Sequence, residues 1–222
     1  MRRTVRQLVI AAAGAAALVV FSTPAQAALS VRALWNMDQL PTMVDSAGGD
    51  NNGTTRNITL SAGAYRFNGT SSYATAPDKG NLDPGTANVL LTARISITKV
   101  PNVGQTFDVV RKGIKTTAGG YYKMEIVRSS NGQAVAACRY KDGNGGGAAT
   151  VIGTAGLAGR GFVTITCAKD ASTVAVSAGG QTTRLAKRIG SISNSSPVNI
   201  GSKGDGTDWF PGLMDFVKIE IG

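Results

Sequence analysis

The residues of this chain that could perform nucleophilic or acid–base chemistry are few. The sequence contains no histidine, which excludes Ser-His-Asp and Cys-His catalytic arrangements. Cys138 and Cys167 are its two cysteines. An even cysteine count in an exported protein predicts one disulfide, with two buried thiols or a metal pair as the alternatives. Without a histidine or a third cysteine, a zinc site is close to excluded.

The carboxylates do not form a hydrolytic pattern. Glycoside hydrolysis needs two carboxyl groups that flank the scissile bond. The only glutamates are Glu125, between Met124 and Ile126, and Glu220, beside Lys218 in an alternating register. Neither glutamate belongs to an acidic cluster, and we interpret both as solvent-facing strand residues. The sequence therefore disfavours an enzyme, and a polysaccharide hydrolase in particular.

Asp215 is the most informative acid. In a strand of strict period two it shares a face with Leu213, Val217, Ile219 and Ile221. Burying a carboxylate among aliphatic side chains costs free energy unless the carboxylate is paired or bound to a metal. Its hard oxygen ligands would favour calcium, which exported proteins meet at high concentration. The alternative is an aspartate near the strand start that accepts backbone N–H bonds.

Four aromatic residues are candidates for ligand contact. Aromatic rings stack on the apolar face of a pyranose, and the candidates are Tyr121, Tyr122, Tyr140 and Trp209. Trp209 follows a loop with two acids, and loops of this kind often hold function. The alternative is core packing, where large aromatic side chains more often lie. Clustering of the three tyrosines on one open face would favour a sugar ligand.

These residues must be positioned by β-strands. Short β-branched runs between turn signals are typical of a sandwich or barrel. The alternation in residues 121–128 and 134–140 predicts one hairpin, and residues 163–167 and 173–176 predict a second. The bridge from Cys138 to Cys167 would tie the two hairpins together. Other strands are expected at Val31–Met37, Leu90–Ile97, Thr106–Arg111, Val198–Gly201 and Leu213–Ile221.

The first 27 residues have the pattern of a secretory signal. Three arginines precede an apolar run from Leu8 to Phe21, and Ala25-Gln26-Ala27 resembles a cleavage site. An uncleaved anchor is the alternative. Cleavage would leave residues 28–222 as one exported domain that is not embedded in a membrane.

The exported part is basic. Removing the three signal arginines leaves 20 basic residues against 13 acidic ones, a net charge of +7. Such a charge favours anionic partners such as cell-wall polymers and acidic glycans. No basic run is interleaved with stacking aromatics, so a nucleic-acid partner is not expected.

The order of several short elements resembles the laminin-G-like, concanavalin A-like jelly-roll domains of secreted bacterial proteins. The elements are Leu34-Trp35-Asn36-Met37-Asp38, Tyr65-Arg66-Phe67-Asn68-Gly69, Asn199-Ile200-Gly201 and Gly212-Leu213-Met214-Asp215-Phe216-Val217-Lys218-Ile219. The closing element is the most specific, and the resemblance spans nearly all of residues 28–222. It implies two antiparallel sheets with a concave face and loops along its rim.

The resemblance also implies a function. Members of this group bind glycans or proteins, some use calcium, and some are polysaccharide hydrolases. The calcium-bearing pattern would fall on Asp215, Gly69 and the neighbourhood of Asp38, where Asp38 itself is added for its charge. The Glu-x-Asp-x-x-Glu strand of the hydrolytic relatives is absent from this sequence. We therefore expect a secreted, non-catalytic module that binds carbohydrate or cell-wall polysaccharide, with protein adhesion as the alternative.

Overall fold

The computed structural model describes residues 28–204 and 206–222, so the predicted signal peptide lies outside the described residues. The described chain forms two eight-stranded sheets, and every strand pairing is antiparallel. The first sheet contains β1 (Ser30–Trp35), β4 (Thr59–Ser61), β5 (Ala64–Asn68), β7 (Val89–Ile97), β12 (Val163–Lys169), β13 (Thr173–Ala178), β14 (Gln181–Ala186) and β16 (Pro211–Ile221). The second contains β2 (Thr42–Met43), β3 (Gly53–Arg56), β6 (Tyr73–Ala76), β8 (Thr106–Lys112), β9 (Gly119–Arg128), β10 (Ala134–Gly143), β11 (Ala148–Ile152) and β15 (Val198–Ile200).

The strand order interleaves distant parts of the chain. The first sheet runs β14-β13-β12-β7-β16-β5-β4, and β1 pairs with β16 next to β5. The second sheet runs β11-β10-β9-β8-β15-β6-β3-β2. The expected hairpins are present as β9–β10 and β12–β13. The prediction of an all-β, two-sheet antiparallel sandwich is confirmed.

The core lies between the two sheets and follows the period-two alternation. On β9, Tyr122, Met124 and Ile126 are fully buried in the core cluster. On β12, Ile165 and Cys167 occupy the same core. Successive strand residues point to opposite faces, so the residues between them project from the outer face of each sheet.

The predicted disulfide is confirmed. Cys138 on β10 and Cys167 on β12 are bonded with their Cα atoms 5.5 Å apart, which is within the usual range for a bridge. Because β10 belongs to the second sheet and β12 to the first, the bond crosses the core and joins the sheets. No cysteine among the described residues is free.

A β-bulge overturns the expected surroundings of Asp215. The pairing of β16 with β7 shifts register between Met214 and Phe216. Met214 and Val217 are both buried, whereas the Asp215 side chain is 33% exposed. The extra residue turns Asp215 away from the aliphatic face. The prediction that Asp215 lies among Leu213, Val217, Ile219 and Ile221 is therefore wrong.

The glycine-rich stretch after β10 is organised by Asp142. Its carboxylate accepts N–H bonds from Gly146 at 3.1 Å and Gly190 at 3.0 Å. Burial acts to raise the pKa of Asp142, but the backbone N–H groups of Gly147, Gly190, Gly146 and Asn144 outweigh it, and the pKa is lowered. Gly190 has no room for a side chain, since a Cβ there would lie 2.9 Å from Oδ2 of Asp142.

The lowered pKa of Asp142 predicts acid-sensitive stability. A carboxyl group with a lower pKa when folded stabilises the fold above its unfolded pKa of about 3.9, and this is lost as pH falls through the folded pKa. We expect Asp142→Asn to lower the melting temperature at pH 7, and the difference from wild type to shrink below about pH 4. Melting curves from pH 7 to pH 2 test this. Asp38→Asn, at an exposed position, is the control and should show no such convergence.

Within residues 28–204 and 206–222, no helix has the length and apolar character needed to cross a membrane.

Candidate functional site

The outer face of the second sheet carries a buried ionic network. Arg111 and Lys123 donate to Asp108, and Lys123 and Arg139 donate to Glu125. Asp108 and Glu125 have side chains that are 0% exposed, whereas that of Arg139 is 35% exposed. The charges therefore alternate from β8 across β9 to β10, and they end on the most exposed member.

Strand register assembles this network. Asp108 lies directly opposite Glu125, and Arg111 lies opposite Lys123. Two carboxylates facing each other across a strand pair would repel, but the Lys123 ammonium contacts both of them. Burial raises the pKa of Asp108, and the charges of Lys123 and Arg111 oppose that rise. The interpretation of Glu125 as solvent-facing is therefore wrong.

Trp209 and Tyr73 form an aromatic pair at one end of the same outer face. Phe210 is buried and packs edge-on against Phe67, with ring centroids 5.8 Å apart. Its neighbour Trp209 is partly exposed and lies 6.0 Å from the ring of Tyr73, at 43°. The backbone of this loop is fixed because the Asp208 carbonyl accepts the Asp108 N–H at 2.8 Å. The Trp209 ring is thus held partly open to solvent.

Three neighbouring clefts follow this edge of the second sheet. We call the first the Trp cleft, of about 290 Å³; it is lined by Arg56, Asn57, Ser71, Tyr73, Ser202 and Trp209. The middle cleft, of about 310 Å³, shares Trp209 and adds Gly69, Gln105, Thr106, Phe107 and Asp208. The Arg cleft, of about 500 Å³, shares Gln105 and Thr106 and adds Val103, Val127, Arg128, Arg139 and Ile152.

The shared residues join the clefts into one feature, which we call the rim groove. Trp209 links the Trp cleft to the middle cleft, and Gln105 and Thr106 link the middle cleft to the Arg cleft. The groove runs from the end of β3, past the start of β8, to the end of β11. Its Trp cleft combines aromatic rings and neutral polar groups with the Arg56 guanidinium, and its Arg cleft contains the guanidinium groups of Arg128 and Arg139.

Comparison with known proteins supports the fold. No protein-family model matches the chain, and no curated protein matches its sequence. Solved structures do match. The binding domain of Paraclostridial Mosquitocidal Protein 1 has a TM-score of 0.62 at 11% identity, over 86% of this chain and 48% of that one. Domain 4 of the extracellular arabinanase AbnA from Geobacillus stearothermophilus has a TM-score of 0.59 at 14% identity, over 87% and 93%.

Domains LG4-5 of the mouse laminin alpha1 chain match with a TM-score of 0.50 at 15% identity, over 70% of this chain and 40% of that one. This chain has the concanavalin A-like jelly-roll fold. The jelly roll spans about half the length of the toxin binding domains that it matches, and most of the arabinanase domain.

The jelly roll separates the predicted ligand-binding tyrosines. Tyr122 and Tyr140 face the core and are 0% exposed, so the expectation that they lie on an open face is wrong. The Tyr122 hydroxyl donates to the Leu82 carbonyl at 3.0 Å. Tyr121 is partly exposed on the outer face, but at the far end of β9 from Val127, which lines the Arg cleft. Only Trp209, of the four aromatic candidates, lines the rim groove.

The three positions predicted for calcium have different partners in the jelly roll. Asp215 Oδ2 accepts a hydrogen bond from Arg94 Nη1 at 2.7 Å. Gly69 lines the middle cleft, and Asp38 is close enough to Tyr65 to help raise the pKa of that phenol, after burial, to about 12. No group of three or more acidic or cysteine side chains that could hold a metal is found among residues 28–204 and 206–222.

The surroundings of Asp215 therefore suit a guanidinium better than a divalent cation, because Arg94 occupies a carboxylate oxygen and repels a second positive charge. Calcium binding stays a prediction.

The sequence pattern alone did not identify the other residues of the rim groove. Tyr73 on β6 pairs with Arg56 on β3. Both residues are far from Trp209 in sequence, so no local sequence pattern indicates that they lie beside it. In the sequence, Arg139 stands out only as part of the short basic stretch Arg139-Tyr140-Lys141. Its alternation with Cys138 and Tyr140 could have placed it on the outer face, since those two residues face the core.

Proposed function

We propose that this protein is a secreted, non-catalytic module that binds carbohydrate along the rim groove. The partly exposed pair of Trp209 and Tyr73 carries the proposal. An aromatic ring offers apolar area to a sugar face, while polar groups at its edge fix the hydroxyls. Asn57, Ser71 and Ser202 supply such groups in the Trp cleft.

The structural neighbours support a binding role. Domain 4 of the arabinanase is described in complex with arabinotriose, and the binding domain of botulinum neurotoxin DC in complex with SialylT. The sialidase of Trypanosoma rangeli, which shares the fold in part of its chain, is described in complex with sialic acid. The signal-like residues 1–27 support export of the module.

The state of the carboxylates favours binding over hydrolysis. Asp108 and Glu125 face each other on the outer sheet face, as a hydrolytic pair would need to do. Both are fully buried and are held by arginine and lysine side chains. A general acid has to come within hydrogen-bond reach of the bond it protonates, and these two carboxyl groups are covered.

Trp209→Ala tests the proposal. We expect wild-type protein to bind at least one member of a panel of neutral and acidic cell-wall oligosaccharides. The substitution should weaken that binding at least about tenfold, the effect of losing about 1.4 kcal/mol of contact energy. Isothermal titration calorimetry on the purified protein measures the loss, with calcium and again with chelator.

Tyr121→Ala is the matched control, because Tyr121 is a partly exposed tyrosine on the same sheet but outside the groove. Its affinity should equal that of wild type. Loss of binding in Tyr121→Ala alone would place the site elsewhere. Absence of any glycan binding, with or without calcium, would refute the proposal and favour protein adhesion.

A further inference from the structure

The Arg cleft contains arginine side chains but no acidic side chain to balance them. Positive and negative side chains alternate along the network from Arg111 through Asp108, Lys123 and Glu125 to Arg139. Beyond Arg139 the alternation stops. The lining of the Arg cleft contains a second cation, Arg128, and no acidic side chain.

The Arg139 guanidinium is fixed but only partly used. Its Nε donates to Oε1 of Glu125. Because Glu125 is fully buried, the guanidinium is anchored at this nitrogen. Its two terminal nitrogens have no hydrogen-bond partner among the residues that the structure describes. With 35% of the side chain exposed, these nitrogens are available to the cleft. A planar guanidinium held this way is suited to bidentate recognition of an oxyanion.

Charged side chains line all three clefts of the groove, and Arg56 is the one in the Trp cleft. Asp208 lies in the middle cleft, near enough to Asp108 to help raise the pKa of that acid. Arg128 and Arg139 lie together in the Arg cleft, so two arginines line this cleft where one lines the Trp cleft. The Arg cleft further contains the exposed side chains of Val103 and Ile152, which give apolar surface beside the cations. A sugar ring that carries an anionic group matches both properties.

We propose that the Arg cleft is a subsite for the carboxylate of an acidic sugar residue, which Arg139 and Arg128 bind. This subsite rests on the proposed carbohydrate-binding function and specifies its ligand class as a uronate-type glycan. The ligand carboxylate pairs with Arg139 and so continues the alternation of positive and negative groups along the ionic network. Trp209 then contacts the apolar ring face of another sugar residue of the same oligosaccharide at the other end of the groove.

The probe is trigalacturonate, compared with its fully methyl-esterified form, which keeps the sugar but removes the charges. We expect the charged trimer to bind at least about tenfold more tightly than the ester. Arg139→Gln should reduce the affinity for the charged trimer to about the affinity that the same variant has for the ester. In a two-dimensional NMR titration, the charged trimer should shift the amide signals of Thr106 and Val127 and the Nε–H signal of Arg139.

Two further variants control for misfolding of Arg139→Gln and for a general effect of removing a positive charge. Arg128→Gln changes an exposed residue outside the ionic network, and should reduce the preference even if Arg139→Gln impairs folding. Arg184→Gln removes the same charge from an exposed position on β14 of the first sheet, and should change nothing. An equal effect of all three variants would indicate a general charge effect and overturn the subsite.

The possible outcomes distinguish failure of the proposed subsite from failure of the proposed carbohydrate binding. Equal affinity for acid and ester, with binding still lost in Trp209→Ala, would overturn the subsite and leave carbohydrate binding intact. Preference for the acid that persists in both Arg139→Gln and Arg128→Gln would also overturn it. Failure of both trimers and of every neutral oligosaccharide to bind would refute the two proposals together.

Discussion

Replacing Glu125 by glutamine is expected to lower the free energy of unfolding by about 3–5 kcal/mol, the usual effect of breaking a buried ion pair by removing one partner. Glu125 is fully buried and accepts from both Lys123 and Arg139. Glutamine keeps the shape of the side chain but leaves the buried Lys123 ammonium with Asp108 as its one remaining anionic partner. Urea unfolding followed by circular dichroism measures the loss.

Asp50→Asn is the matched control, because it also converts an ion-paired carboxylate to an amide. Asp50 pairs with Lys79 at 2.7 Å, but its side chain is 79% exposed. Surface pairs of this kind contribute about 0–1 kcal/mol. A similar small loss in both variants would mean that the network on the outer face is open to water.

The second large effect concerns the disulfide. We expect the double replacement Cys138→Ala and Cys167→Ala to lower the free energy of unfolding by about 3–4 kcal/mol. In the chain-entropy model the bridge restricts the unfolded chain, and here the two cysteines are 29 residues apart. Urea unfolding of the double variant and of wild type, both without reductant, gives the difference.

Wild-type protein treated with dithiothreitol is the control for this experiment, since it loses the bond but keeps both sulfur atoms. Its stability should fall close to that of the double variant. Mass spectrometry of the untreated protein after alkylation should find no modified cysteine. A loss below about 1 kcal/mol, with the bond shown to be present, would contradict the chain-entropy account.

The parts of the fold that the sequence predicted are those that depend on alternation alone. Alternating side chains identified the hairpins that became β9–β10 and β12–β13, and placed Cys138 with Ala134 and Ala136 on one face. The same alternation could have placed Tyr122 in the core, since it shares a face with Met124 and Ile126. The alternative of core packing therefore holds for Tyr122 and Tyr140.

Other features depend on information that a single strand does not contain. The bulge at Asp215 is a property of the pairing between β16 and β7, and strict period two hides it. Alternation puts Glu125 on the outer face but does not say whether that face is covered. The neighbours of Trp209 in the groove come from β3, β6 and β8, so only the assembled sheet brings them together.

The second sheet has buried side chains on both of its faces, apolar ones toward the core and an ionic network on the outer face. This limits how the protein can acquire a new ligand specificity. A substitution at a buried position of β8 or β9 disturbs either the apolar packing of residues such as Met124 or the charge balance around Glu125. Both kinds of change act on folding before they act on recognition. Ligand choice can therefore diverge mainly through the connecting segments at residues 101–105, 129–133, 201–204 and 206–210, together with the solvent-accessible strand residues Arg128 and Arg139. Directed evolution of the groove would be most productive in libraries confined to those loops.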